Sequence, residues 1–227
     1  MQILQLELLT RQLSAQRAFY VDLLGFELKE ATENSFSIQA GRSVLCFRQS
    51  EDAVCYHFAF NIPALQMEEA CHWTRARCPL LQDGDAQIID FPNWNAQAIY
   101  FFDADLNIVE FIARKNLALP SVGAFSAKSV DGISEIGFPV DQVGGMFGQL
   151  EQALGVKQYS GDLDRFCAVG DEEGLFIVVD RHSKKWYPTS VQSAPHPIVL
   201  TVELGSKKYA LQFDVEAQLA IQQLEME

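Results

Sequence analysis

Runs of basic residues, closely paired cysteines and long apolar stretches are what this chain has least of, and each shortage removes a class of function. Lysine and arginine number 17 against 30 aspartates and glutamates, a formal net charge of −13, and no Lys/Arg cluster offers a local exception. Long-range repulsion therefore opposes an encounter with a phosphate backbone or an anionic bilayer, so neither nucleic acid nor membrane is an expected partner. The 5 cysteines, Cys46, Cys55, Cys71, Cys78 and Cys167, form an odd set without a CxxC spacing. They read as reduced thiols acting as small apolar side chains in a cytosol. No segment approaches the roughly 20 uninterrupted apolar residues of a membrane span. The stretch MQILQLELLTRQL lacks the basic n-region of a secretory signal. A soluble, cytoplasmic protein is expected.

Apolar residues, by contrast, make up 48% of the 227 residues, enough to bury one large or two small cores without a staple. Their order repeats. Residues 3–9 alternate as a strand, a helix runs from about Ser14 to a stop at Gly25, and FELKEA, SFSIQA and SVLCFRQ read as three short strands. A second βαβββ unit starts at Cys55, with strand CYHFAFNI, helix LQMEEACHWTRARC and strands in AQIIDF, QAIYFFD and NIVEFIAR. A third starts at Ile133, with ISEIGFPV, the helix QVGGMFGQLEQAL, then KQYS, RFCAVG and GLFIVVD. Gln5 lies 20 residues before Gly25 and Glu135 lies 20 before Gly155, so the first and third units share a register. A loop from His182, the strands IVLTVEL and KYALQF and a C-terminal helix complete a truncated or rearranged fourth unit.

Strands joined this tightly cannot cross over, which argues for an α+β fold of tandem βαβββ modules rather than a parallel α/β sheet. A single such sheet leaves one face bare, and two can curl together around a cleft. The expected division is 1–115, an N-terminal pair of modules carrying the site, 116–132, a linker, and 133–227, the third module with the degenerate fourth.

Alternation sorts the strand residues between faces. Phe58, Phe60 and Ile62 form the apolar face of their strand, with His57, Ala59 and Asn61 opposite; Val109 and Phe111 lie opposite Ile108, Glu110 and Ile112. Gln5, His57 and Glu110 thus each sit on the face turned away from the helix. An amide oxygen, an imidazole and a carboxylate meeting there suit one divalent transition metal such as Fe, Mn, Zn, Ni or Co. Each residue alone reads more readily as a polar side chain on a wet sheet face; the inference rests on the set.

The pattern Gln5…Phe19-Tyr20…Leu24-Gly25-Phe26, His57-Phe58-Ala59-Phe60 and Tyr100-Phe101-Phe102-Asp103-Ala104-Asp105-Leu106-Asn107-Ile108-Val109-Glu110 resembles the vicinal-oxygen-chelate superfamily of glyoxalases, bleomycin-resistance proteins and extradiol dioxygenases. The resemblance is close over about residues 2–114, weaker over 133–180 and weakest beyond. It implies tandem βαβββ modules paired into half-open barrels around a metal whose ligands fall on Gln5, His57 and Glu110. The fourth glyoxalase ligand position falls on Cys46, and the family's turn glycine is replaced by Leu106, at a cost of ~1 kcal/mol if φ must be positive there. In the second half Glu135 occupies a first-strand ligand position without a companion set, and His72, His182 and His196 are not in register as ligands.

What the resemblance implies is a metal-dependent enzyme of the glyoxalase or dioxygenase type, acting on a small molecule bound through vicinal oxygens. Glu7 and Tyr100 are the candidate proton carriers, Trp94 a stacking wall, Arg48 a partner for a substrate carboxylate, and Cys46 a lining residue. The alternative is a metal-free protein that sequesters a small molecule. A homodimer is the one assembly entertained.

Overall fold

The computed structural model describes residues 1–51 and 55–225. Strand β1 (Gln2–Thr10) leads into α1 (Leu13–Arg17), which continues as a π-helix over Ala18–Leu23. Ser14 lies inside α1 instead of capping it: the Gln12 N–H donates to Thr10 Oγ1 at 3.1 Å and Gln12 takes the cap position, so the helix starts sooner. Gly25, at φ +75°, ends the helical stretch, since a left-handed residue reverses the chain at low cost only without a Cβ. Strands β2 (Glu27–Ala31), β3 (Ser35–Ala40) and β4 (Ser43–Gln49) close the first module.

The second module comprises β5 (His57–Asn61), α2 (Met67–Arg75), the short β6 (Leu80–Leu81) and β7 (Ile89–Phe91), then β8 (Ala96–Phe102) and β9 (Ile108–Arg114). The third is β10 (Gly132–Val140), α3 (Val143–Leu154), β11 (Gln158–Gly161), β12 (Phe166–Asp171) and β13 (Gly174–Asp180). In each module the first and last strands run parallel and adjacent, β1 with β4, β5 with β9 and β10 with β13. Among the described residues the fourth module has no helix and consists of β14 (Ile198–Leu204), β15 (Lys207–Phe213) and β16 (Leu219–Leu224). The expected C-terminal helix is therefore strand β16. The edge of β15 offers unpaired backbone, and extended pairing from Leu219 to Leu224 sends Leu219 and Ile221 into the core.

The strands form a continuous sheet whose central path is β16-β15-β14-β1-β10-β5-β9-β8-β6. Its order corrects the expected pairing of modules. β5 pairs antiparallel with β10, joining the second module to the third, whereas β1 pairs with β14, joining the first to the fourth. The stretch expected as a linker connects two modules that share one cup. Two cores follow from strand alternation. The larger lies under the helices and includes Phe58, Phe60, Val109 and Phe111; the smaller lines the second–third cup and includes Ala59, Tyr100, Ile108 and Ile112. No helix among the described residues is long and apolar enough to cross a membrane.

Candidate metal centre

Three adjacent strands build the site. Ala59 on β5 has Glu110 of β9 as its partner on one side and Glu135 of β10 on the other. His57 lies two residues earlier on the same face of β5. Because Ala59 carries only a methyl group, the carboxylates can lean over it toward the imidazole. One ligand atom from each of His57, Glu110 and Glu135 lies within 4.8 Å of the others, and all three residues are buried. His57 Nε2 is 3.7 Å from Glu110 Oε2.

The imidazole is set for coordination. Its Nδ1–H donates to the Ile108 carbonyl oxygen at 3.1 Å, which leaves the Nε2 lone pair facing the carboxylates. Burial pushes the ring down to about 4, so it stays neutral and able to bind an ion near neutral pH. Burial, followed by the charge of Glu135, holds Glu110 well above the usual carboxylate range, against the pull of Arg114 and the Tyr100 hydroxyl. Glu135 is also raised by burial, opposed by Arg114. The Arg114 guanidinium, fully buried, hydrogen-bonds Glu135 through Nη2 and lies 5.2 Å from the centre of the Trp94 ring. With both carboxyl groups ionised, one guanidinium and a neutral imidazole would leave an excess of negative charge in a desolvated place, the repulsion that helps to raise Glu110. One nitrogen and two carboxylate donors fit a borderline divalent cation, which would also relieve that repulsion.

Above the cluster lies a cavity of about 310 Å³. Its walls are largely aromatic: Phe91, Trp94, Tyr100, Phe166, Trp186 and Tyr187. The last two come from the segment between β13 and β14, which crosses the cup and is tied down where the Tyr187 hydroxyl donates to Asp83 Oδ2 at 2.7 Å. Trp186 is buried with its ring centre 5.2 Å from that of His57. The space it uses exists because residue 137 is glycine: a Cβ there would come within 2.4 Å of Trp186 Cη2.

The sequence-derived candidates divide between the two cups. His57, Glu110, Tyr100 and Trp94 line the cavity together. Gln5, Glu7, Cys46 and Arg48 belong to the first–fourth half and do not line it. Gln5 is exposed, with Val44 and Thr201 as its strand partners. Glu7 accepts from Arg48 Nε at 2.8 Å and from Nη2 at 2.9 Å, so the two form an ion pair. Cys46, opposite Glu7, has its thiol pushed up to about 11 by burial and by that carboxylate. Glu135 takes the place expected of Gln5, because β5 of module two pairs with β10 of module three and not with β1 of module one. Of the remaining histidines, His182 pairs with Asp141 at 2.7 Å, His72 Nδ1 meets its own helix at Glu68 O, and His196 packs edge-on against Tyr56.

Arg114, Lys184, Trp186 and Tyr187 were missed. Arg114 carried a usable signal, since strand alternation puts it on the face of Glu110. The other three sit in an irregular segment where no periodicity marks which side chains turn inward.

No protein-family model and no curated protein matches the chain. Among solved structures, a Bacillus subtilis subsp. subtilis str. 168 protein described as a "putative dioxygenase" superposes on 98% of this chain and 84% of its own, with a TM-score of 0.65 at 11% identity. The two chains thus share one fold over nearly the whole of this sequence. A lactoylglutathione lyase from Agrobacterium tumefaciens aligns at 22% identity over 51% of this chain and 95% of its own, TM-score 0.43. A glyoxalase/bleomycin resistance protein/dioxygenase from Nocardioides aligns at 20% identity over 54% of this chain and 90% of its own, TM-score 0.42.

Proposed function

We propose that the chain is a divalent-metal-dependent enzyme of the glyoxalase or dioxygenase type, acting on a small molecule bound through vicinal oxygens above His57, Glu110 and Glu135. The observation that carries this reading is the convergence of three buried ligand atoms within 4.8 Å at the base of an apolar cavity. Buried ionisable groups are costly unless paired, and here only Glu135 has a guanidinium of its own. His57, Glu110 and Glu135 would hold a divalent ion, which would supply Lewis-acid polarisation of the substrate oxygens. The chain's own residues do the rest. The Ile108 carbonyl fixes the His57 tautomer, and Arg114 orients Glu135. The Tyr100 hydroxyl interacts with Glu110 and is the candidate proton carrier, and Trp186 and Tyr187 wall the cup.

The test is metal content and affinity in protein purified without added metal. About one transition-metal ion per chain, lost in both Glu110→Gln and Glu135→Gln, is the expected result. A wild-type protein that takes up neither Mn2+ nor Co2+ on titration overturns the reading. That outcome would favour metal-free sequestration, for which the Arg114–Glu135 ion pair is the supporting observation, since it partly neutralises the cluster without an ion.

A further inference from the structure

The edges of the sheet are not alike. Among the described residues it ends on β2, β6, β7, β11 and β16. A bare edge strand is a template for another chain, and charge, bulges or shortness normally blunt it. Strand β2 carries Glu27, Lys29 and Glu30 and shifts register between Leu28 and Glu30. Strand β11 shifts register between Gln158 and Ser160, and β6 and β7 span only 2 and 3 residues. Strand β16 has none of these devices. Its 6 residues, LAIQQL, include no charge, proline or glycine, and each has a partner on β15 without a shift. Gln149 of α3 donates to the Leu219 carbonyl at 2.6 Å. Among the described residues nothing else bonds the outward backbone of 220–224.

The side chains of this edge complement themselves. Leu219 and Ile221 turn into the core, so Ala220, Gln222 and Leu224 share the opposite face. Ala220 borders a groove of about 420 Å³, together with Val199, Gln212 and Leu219. Val199 is 40% exposed there, and Leu224 is half-buried. Charge restricts where two copies could meet. At a net −13 they repel at long range, so a self-contact must fall where no like charges face each other. Residues 220–224 are uncharged. A two-fold axis through Gln222, the midpoint of that stretch, sets Gln222 against its own copy. It also sets Leu224 of each copy beside the small Ala220 of the other, at the mouth of the groove. The same contact then occurs twice, as an isologous interface requires.

We propose that the chain forms a two-fold homodimer by antiparallel pairing of β16 with β16 of a second copy, with Gln222 opposite Gln222. The dimer does not depend on the metal-centre reading. Strands β5, β9 and β10 lie beyond β15, β14 and β1 along the sheet, so each copy keeps its own cup.

Sedimentation velocity between ~1 and ~100 µM tests the association. A single strand pair is small beside the roughly 1,200–2,000 Å² of a stable interface, so a micromolar dissociation constant is expected and wild-type protein should be mostly dimeric at ~100 µM. Gln222→Lys sets two ammonium groups face to face and should weaken the dimer at least ~10-fold. Gln222 is exposed, so the melting temperature of the monomer should not move. Glu27→Lys, at the β2 edge, should leave the dimer intact. Directly opposed residues of antiparallel strands have Cα atoms about 4.5–5.5 Å apart, within reach of a disulfide. Mild oxidation should therefore cross-link Gln222→Cys into a dimer, and neither the wild type nor Gln212→Cys, one strand away. A wild-type protein that is monomeric at ~100 µM, a dimer that survives Gln222→Lys, or a Gln222→Cys that cross-links no better than Gln212→Cys would each overturn the proposal.

Discussion

Glu135 is the residue on which the candidate site turns. It stands beside Ala59 across the β5–β10 ladder and is buried, whereas Gln5, its counterpart in the first module, is exposed beside Thr201. Glu135→Gln is expected to weaken metal binding by about 100-fold or more, since even outer partners of a metal ligand are worth 10–100-fold. Gln5→Ala should leave it unchanged; titration with Co2+ followed by absorbance separates the two. Leu106 makes a different prediction. It sits at φ +63° and is 64% exposed, in the turn where glycine was expected. Leu106→Gly removes left-handed strain of ~1–2 kcal/mol and adds ~0.5–1 kcal/mol of unfolded-state entropy. A net gain of about 0.5–1 kcal/mol is expected from urea denaturation.

At the scale of elements, the β8–β9 turn shows how one carboxylate can hold several segments. Asp103 is buried and accepts from Gln16 Nε2 at 2.7 Å, Tyr20 Oη at 3.0 Å and Asn107 Nδ2 at 2.8 Å, and from the backbone N–H groups of Asp105 and Asn107. It fastens the helix of the first module to the turn of the second. Asp103→Asn turns an acceptor into a donor facing donors, and a loss of roughly 2–4 kcal/mol is expected, from ~1–3 kcal/mol for each buried group left unsatisfied. Equilibrium denaturation measures it. The segment between β13 and β14 depends on a different contact, the seat of Trp186 over Gly137. Gly137→Ala should displace the indole from His57, with an overpacking cost of about 1–3 kcal/mol and a shifted tryptophan emission maximum.

Across the whole molecule, the sheet interleaves modules that are distant in sequence. The second and third enclose the candidate site, and the first and fourth form the other half. Residues 1–115 expressed alone would lack Glu135, the β10 partner of β5 and the β14 partner of β1. Such a fragment should bind no Co2+ and should show no cooperative thermal transition by circular dichroism.

The strand limits of β3, β4, β13 and β14, the left-handed glycines Gly25 and Gly155 and the split of faces at His57 and Glu110 were readable from sequence. They depend on period-two alternation and on backbone conformations that only glycine adopts cheaply. Strand β16 was not readable, because its residues form a strand only when the edge of β15 is there to pair with. Glu135 could be assigned a sheet face but not a partner. Alternation determines which way a side chain points from its own strand, whereas the meeting of β5 with β10 is a choice between modules of similar pattern. The crossing segment with Lys184, Trp186 and Tyr187 has no period at all, and its inward side chains were determined only by the cup beneath them. The amino-acid sequence by itself determined modules, faces and two of the three candidate ligands. The tertiary structure alone decided which modules share a cleft, because that depends on complementarity between whole sheet faces and not on any local run of residues.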